Sequence, residues 1–355
     1  MSLHNSDRRL ARSTANRLIA NTLSSSVEYP VELANHLPML LEIQFQLGAS
    51  ARRLEDYAEQ YNSIRKVPPA PPPIAPITRA NWQSALGDRS RESDYRDFFI
   101  DEVHRIGGSG AIRLYMPLLA RGVGASALHA LMRLAYAVLR QDDAEIGTAL
   151  GYWAAAFLPL RDEPQGPPDT DEPLALAIRM QGVAAFKNVQ ASKTDLLWHW
   201  MRVVGRMDEF APIIGRLRIG PDTLDRVAST SLALFASLVS PLEGVHAMTG
   251  SWWLRLISPH MDDPGLLTRY FWQAILAVYP KIDLATPLGA GELEAMRATP
   301  VPPPAEIAAA TLEYDPLGDD EEHHASVVFT AFSEFARTGD PLYMVLAAKR
   351  VKLIA

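Results

Sequence analysis

Cysteine is absent from this 355-residue chain. That excludes disulfides, thiolate metal ligands, cysteine nucleophiles and cysteine-held iron–sulfur clusters. Basic residues form no block, and the net charge is −7, so the electrostatic footprint of a nucleic-acid binder is missing. The same shortage removes a polybasic membrane anchor. No run of eighteen uninterrupted apolar residues occurs. The strongest candidate, Leu128–Leu139, is interrupted by His129 and Arg133 and reads as a buried helix rather than a membrane span. The first residues, MSLHNSDRRLARSTANRL, lack the apolar stretch of a secretory signal. Lysine is scarce. No P-loop, H-E-x-x-H or G-x-S-x-G motif is present, so the commonest phosphate-binding, zincin and hydrolase chemistries have no support. These absences point to a soluble, cytoplasmic protein without nucleic-acid or membrane partners.

What remains is a globular composition, 48% hydrophobic and 21% charged, with enough apolar material for a large core. The apolar period is helical almost throughout, and no convincing alternating run appears. Helices are expected at Arg52–Tyr61, Asp94–Ile106, Ala111–Arg121, Ser126–Arg140, Ala144–Phe157, Thr194–Val204, Asp208–Leu217, Pro221–Leu238, His246–Ile257, Pro264–Tyr279, Glu321–Ala336 and Pro341–Leu353. Residues 67–76 (VPPAPPPIAP) cannot be helical, because proline lacks the amide donor and restricts the residue before it. They read as an extended connection rather than a domain boundary. The expected architecture is all-α, a multi-helical single-core bundle. Residues 1–25 form a flexible leader and 26–355 one domain, with the acidic, proline-rich 159–173 stretch as its one candidate seam.

Histidine carries the functional signal. Of nine in the chain, several open apolar helical stretches: His36 in NHLPMLLEIQFQLGAS, His129 in LHALMRLAYAVL, His246 in GVHAMTGSWWLRLI, and His323–His324 in EEHHASVVFTAF. Imidazole is expensive to bury without a partner. Such starts suggest histidines from several helices converging on a central pocket, with a metal or polar ligand as the usual reason. Local capping or hydrogen bonding of each histidine is the competing account. His129, Met132, Arg133 and Tyr136 share one helical face, suited to orienting substrate oxygens; the competing account has Arg133 paired with a carboxylate of another helix. His246 shares a face with Thr249, Gly250 and Trp253. The glycine leaves space there, and Trp253 and Met132 offer apolar walls to a planar aromatic substrate. Of the final pair, His324 has the more apolar stripe (Val327, Val328, Ala331, Phe335) and is expected to face inward, with His323 toward the acidic Asp319–Glu322 side. One dinucleotide-like pattern, Gly122, Gly124 and Ala127, lacks the preceding strand that the fingerprint needs and reads as a helix–helix corner.

These segments, with YAEQY and FFIDEVHRIGGSGAIRLYMPLLARGVGASALHALMRLAYAV, together resemble the questin oxidase-like family from about residue 30 to 340. The resemblance implies an all-helical oxidoreductase that oxidatively opens anthraquinone-type polyketide rings, with NADPH as a requirement. It implies a mononuclear non-heme iron held by His36, His129, His246 and His324; Arg133 and Tyr136, from the helical face they share with His129, are expected in catalytic roles beside it. Some members add a carboxylated lysine about one turn after the last histidine. Here Val327 and Val328 stand at that turn, and a set of neutral imidazoles alone binds a dication less well. Either a carboxylate such as Glu322 substitutes, or the chain is a helical ligand-binding or scaffold protein that has lost a complete metal site.

Overall fold

The computed structural model describes residues 5–30, 32–161, 166–189, 196–238, 242–313 and 321–354. Among these the fold is all-α: seventeen α-helices, with one two-stranded antiparallel pairing of Glu28–Tyr29 against Leu33–Ala34. The chain divides into two compact units, Met1–Ala70 with Leu288–Ala355, and Pro71–Pro287. The division falls inside the proline-rich run, not in the 159–173 stretch. That run is extended, and each end is tied to its own unit. Ser26 and Pro68 share a main-chain hydrogen bond, whereas Ile74 and Ala75 donate to the Asp94 carboxylate.

The first unit contains α1 (Asn5–Thr22), α2 (Leu37–Gln46), α3 (Ala51–Arg65), α14 (Ala290–Arg297), α15 (Pro304–Glu313), α16 (Glu321–Thr338) and α17 (Pro341–Arg350). The segment expected to be a flexible leader is helix α1. Ala11, Ala15 and Ile19, one turn apart, are buried and give it a narrow stripe of small residues to pack on α2 and α3. Arg12 fixes the contact. It clamps the buried Glu42 carboxylate at 2.5 and 3.0 Å, and its guanidinium lies 3.7 Å from the Phe45 ring centroid. The apolar stripe of α2, Leu40, Ile43 and Leu47, is buried as its period requires. Each such aliphatic side chain contributes roughly 1.5–3 kcal/mol.

The second unit contains α4 (Glu92–Ile106), α5 (Gly108–Leu119), α6 (His129–Arg140), α7 (Asp143–Ala155), α8 (Pro173–Gln181), α9 (Ala184–Lys187), α10 (Leu197–Val204), α11 (Thr223–Ala236), α12 (Leu242–Ile257) and α13 (Pro264–Val278). Helices α4 and α7 approach closely because α7 presents Gly147 and Gly151 to α4 one turn apart. A Cβ at Gly147 would lie 2.7 Å from Ile100 Cα, and one at Gly151 2.8 Å from the Arg96 main-chain nitrogen. The expected helix at Asp208–Leu217 does not form. Only a 3-10 turn, Asp208–Phe210, is present, since Pro212 and a left-handed Gly215 (φ 69°) interrupt it. The Gly122–Ala127 corner joins helix to helix with no strand before it, and the Gly122 position is capped by the Phe157 ring.

Candidate functional site

In the first unit, His36 stands at the N-terminus of α2, but its imidazole does not cap the helix. Asn35 does: its side-chain oxygen accepts from Leu37 N–H at 3.2 Å. The His36 ring turns back, with Nδ1 2.9 Å from Ala34 O and 2.8 Å from Glu322 Oε2. Its main-chain N–H donates to the Tyr61 hydroxyl of α3 at 2.9 Å. Burial, together with the Glu322 carboxylate, raises the Tyr61 phenol well above its ordinary range, so the phenol stays neutral. Glu322, only 3% exposed in the first turn of α16, receives Arg65 Nε on its other oxygen at 2.5 Å. Burial alone would raise that carboxyl. His36 and Arg65 outweigh it and hold Glu322 below the usual carboxylate range.

His323, not His324, is the member of the pair beside His36. The two rings are 5.4 Å apart, edge to face, with ring nitrogens within 4.8 Å of one another. His324 is buried on the apolar side of α16 with Val327, Val328 and Ala331. The arc of α16 that carries His323 also carries Ser326 and Thr330 at +3 and +7, both buried. Those polar positions were the available signal. The inward burial expected of His324 is met, while the half-buried His323 supplies the ring beside His36. Of the expected acidic run Asp319–Glu322, Asp319 and Asp320 lie outside the described residues.

In the second unit, α6 begins at His129 rather than Ser126. Ser126, Ala127 and Leu128 occupy left-handed backbone (φ 45°, 54° and 74°), at roughly 1–2 kcal/mol per residue. All three are buried, and this packing holds the turn in place. The turn brings Ser126 O to His129 Nδ1 at 2.5 Å. Helix α12 packs on α6 and places His246, 3% exposed, with its ring 5.1 Å from that of His129. Met132 and Tyr136 are buried on the His129 face, and the Tyr136 ring lies 5.7 Å from Trp252. Arg133 forms a bidentate bond with Glu145 of α7 at 3.0 and 2.9 Å, the core pairing weighed above. Trp253 is buried, and among the described residues its indole N–H has no hydrogen-bond partner. Gly250 leaves no free space: a Cβ there would meet the Phe271 ring at 2.3 Å, so that wall is already filled. His104 is exposed, His199 stacks on Trp198, and His260 bonds Ser109; His4 lies outside the described residues.

Each unit therefore sets a buried histidine (His36 or His246) beside a half-buried one (His323 or His129), and in each pair one imidazole has Nδ1 tied to a main-chain carbonyl two or three residues earlier. This tether sets the tautomer and leaves Nε2 as the donor nitrogen if a metal is bound. Bonds near 2 Å put two imidazole nitrogens about 3–4 Å apart on one ion. The ring nitrogens of His36 and His323 lie within 4.8 Å of one another, somewhat wider than that. The donor set of neutral imidazoles suits iron or another first-row transition metal. The fold and these sites define an all-helical protein with two histidine pairs, one imidazole of each tethered through Nδ1 to a main-chain carbonyl. The chain belongs to the questin oxidase-like family, whose model matches residues 33–328 of the 355. No curated protein matches the sequence. Membership indicates an oxidoreductase. Among the described residues no helix is long and apolar enough to cross a membrane.

Proposed function

We propose that the protein is a non-heme iron-dependent oxidoreductase that oxygenates or opens an aromatic, polyketide-like ring, with His36, His129, His246 and His323 as iron ligands. The observation that carries this reading is the matched tethering of His36 and His129, each with Nδ1 held by a main-chain carbonyl at a helix start. Capping histidines would not need it. Bound iron would supply the one-electron and dioxygen chemistry that side chains lack.

The chain's own residues bind and orient. Trp253 and Met132 give the substrate apolar surface, and the Tyr136 phenol orients a substrate oxygen. Arg133 works through Glu145, locking α6 to α7 and so fixing the position of His129, rather than binding substrate itself. NADPH enters as reductant on family grounds, and the Gly122–Ala127 corner is not its site. One observation favours a non-catalytic binder: Val327, fully buried, stands where some relatives place a metal-binding lysine.

Metal analysis of protein purified without a nickel column tests the proposal. Wild type should carry about one iron per chain, and His129→Ala should lose most of it with its far-ultraviolet spectrum unchanged. Wild type that contains no iron and takes up neither Fe(II) nor Co(II) would favour the binder. In that case Val327→Lys should only destabilise the fold, by burying an ammonium among apolar neighbours.

A further inference from the structure

We infer that Glu322 delivers to the proposed metal centre, through His36, the negative charge that this chain lacks a lysine to provide. It acts as a positioning residue rather than a ligand. The inference rests on the reading of the histidines as metal ligands.

Both carboxylate oxygens of Glu322 are already engaged. Oε1 takes the Arg65 guanidinium at 2.5 Å and Oε2 faces His36 Nδ1 at 2.8 Å, in a pocket that leaves the residue 3% exposed. Direct ligation would break one of these charge-assisted bonds inside a region where their loss is strongly unfavourable. The carboxylate instead shares the Nδ1 proton with the Ala34 carbonyl, and its charge makes the imidazole a stronger donor at Nε2. At His129 the Nδ1 tether is the Ser126 carbonyl.

Arg65 keeps this arrangement from collapsing into proton transfer, because a guanidinium on Oε1 favours the ionised carboxylate. The geometry also links three elements through one residue. Glu322 lies in the first turn of α16, directly before His323, where a negative side chain suits the helix terminus. It touches the residue that opens α2 and the last residue of α3. One side chain thus sets the ring of His36 and the start of the helix that carries His323. The His36 main chain is held separately by Tyr61, and the α2 cap by Asn35. Glu322→Gln therefore removes charge with little disturbance of the backbone.

The test compares wild type, Glu322→Gln, Glu322→Asp and the charge-balanced pair Glu322→Gln with Arg65→Met. The pair keeps the comparison open if the single variant folds poorly with Arg65 left without its carboxylate. Metal-free protein is titrated with Co(II), read by its visible absorption bands, and the His36 ring tautomer is read by nitrogen-15 NMR, assigned with His36→Gln. The expected result is about 10–100-fold weaker Co(II) binding in Glu322→Gln and in the charge-balanced pair. Their absorption bands should keep the wild-type shape, and His36 should stay in its Nδ1–H form, which the Ala34 carbonyl still holds. Glu322→Asp should retain the tautomer and most of the affinity. Three results would overturn the inference: wild-type affinity in Glu322→Gln; a change of band shape with loss as deep as in His36→Gln, which would make Glu322 a ligand; or wild type that binds no metal. The last also removes the proposed function, whereas the first leaves it standing.

Discussion

Arg133 and Glu145 offer the sharpest test of how the second unit is built. Their side chains are 2% and 4% exposed and joined by two bonds of 3.0 and 2.9 Å, so neither charge reaches solvent. Removing one partner of such a pair typically costs about 3–5 kcal/mol, because the other is left charged and desolvated. Here the lower end applies. Burial draws the Arg96 guanidinium pKa down, while Glu92 and Glu145 hold it up, so Arg96 already shares the field of Glu145 and compensates in part. Arg133→Met should therefore destabilise by about 3 kcal/mol. The double variant Arg133→Met with Glu145→Leu should return to within about 1 kcal/mol of wild type, since it removes both desolvated charges and keeps volume. The assay is a double-mutant cycle from urea unfolding followed by far-ultraviolet circular dichroism. A single-variant loss below about 1 kcal/mol, the range of solvent-exposed pairs, would refute the account of a desolvated pair. A double variant as unstable as the single one would refute the claim that charge burial is the cause.

Two further outcomes follow from the helix contacts. Gly151→Ala pushes a methyl group against the Arg96 main-chain nitrogen, which has no flexible side chain to yield; a loss of about 1–3 kcal/mol is expected, read as a lower thermal midpoint, and an unchanged midpoint would show that α4 and α7 are not in close contact there. In the first unit Asp340 caps α17 through Leu342 N–H and pairs bidentately with Arg297 at 2.9 and 3.0 Å. Burial alone would raise its carboxyl, but Arg297 and that N–H hold it below its ordinary value. The folded value lies under the unfolded one, near 3.9, so the contribution is complete above about pH 4 and is lost as pH falls through the folded value. Asp340→Asn keeps the cap but removes the charge; acid titration of stability should flatten below pH 4 in the variant, and identical acid profiles would count against it.

Much of the fold was legible because helical periodicity is a local property. The stripes at Leu40, Ile43 and Leu47, and at Met132 and Tyr136, follow from a 3.6-residue repeat whatever packs against them. The proline run is local too, since each missing amide forbids a helix on its own. The family likeness was also carried by residues in the sequence, from the His129 block outward. What failed depended on neighbours distant in the chain. Residues 1–25 were expected to be a flexible leader, yet Ala11, Ala15 and Ile19 with the Arg12–Glu42 clamp seat α1. Gly250 looked like a vacancy, but Phe271 from another helix occupies the space.

The sequence alone determined that the chain is helical and that thiol chemistry is impossible, because composition and period decide both; His36 and His129 do stand at helix starts, whereas His246 lies inside α12, which begins at Leu242. Tertiary structure decided which imidazole of the His323–His324 pair stands beside His36, since adjacent helical residues point about 100° apart and only the packing of α16 on α2 selects between them. It also decided that Arg133 meets Glu145, and that Glu322 lies between His36 and Arg65, 257 residues away from the latter along the chain. Charge partners at that separation leave no local mark in a sequence. They are chosen only when burial makes an unpaired charge too costly to keep.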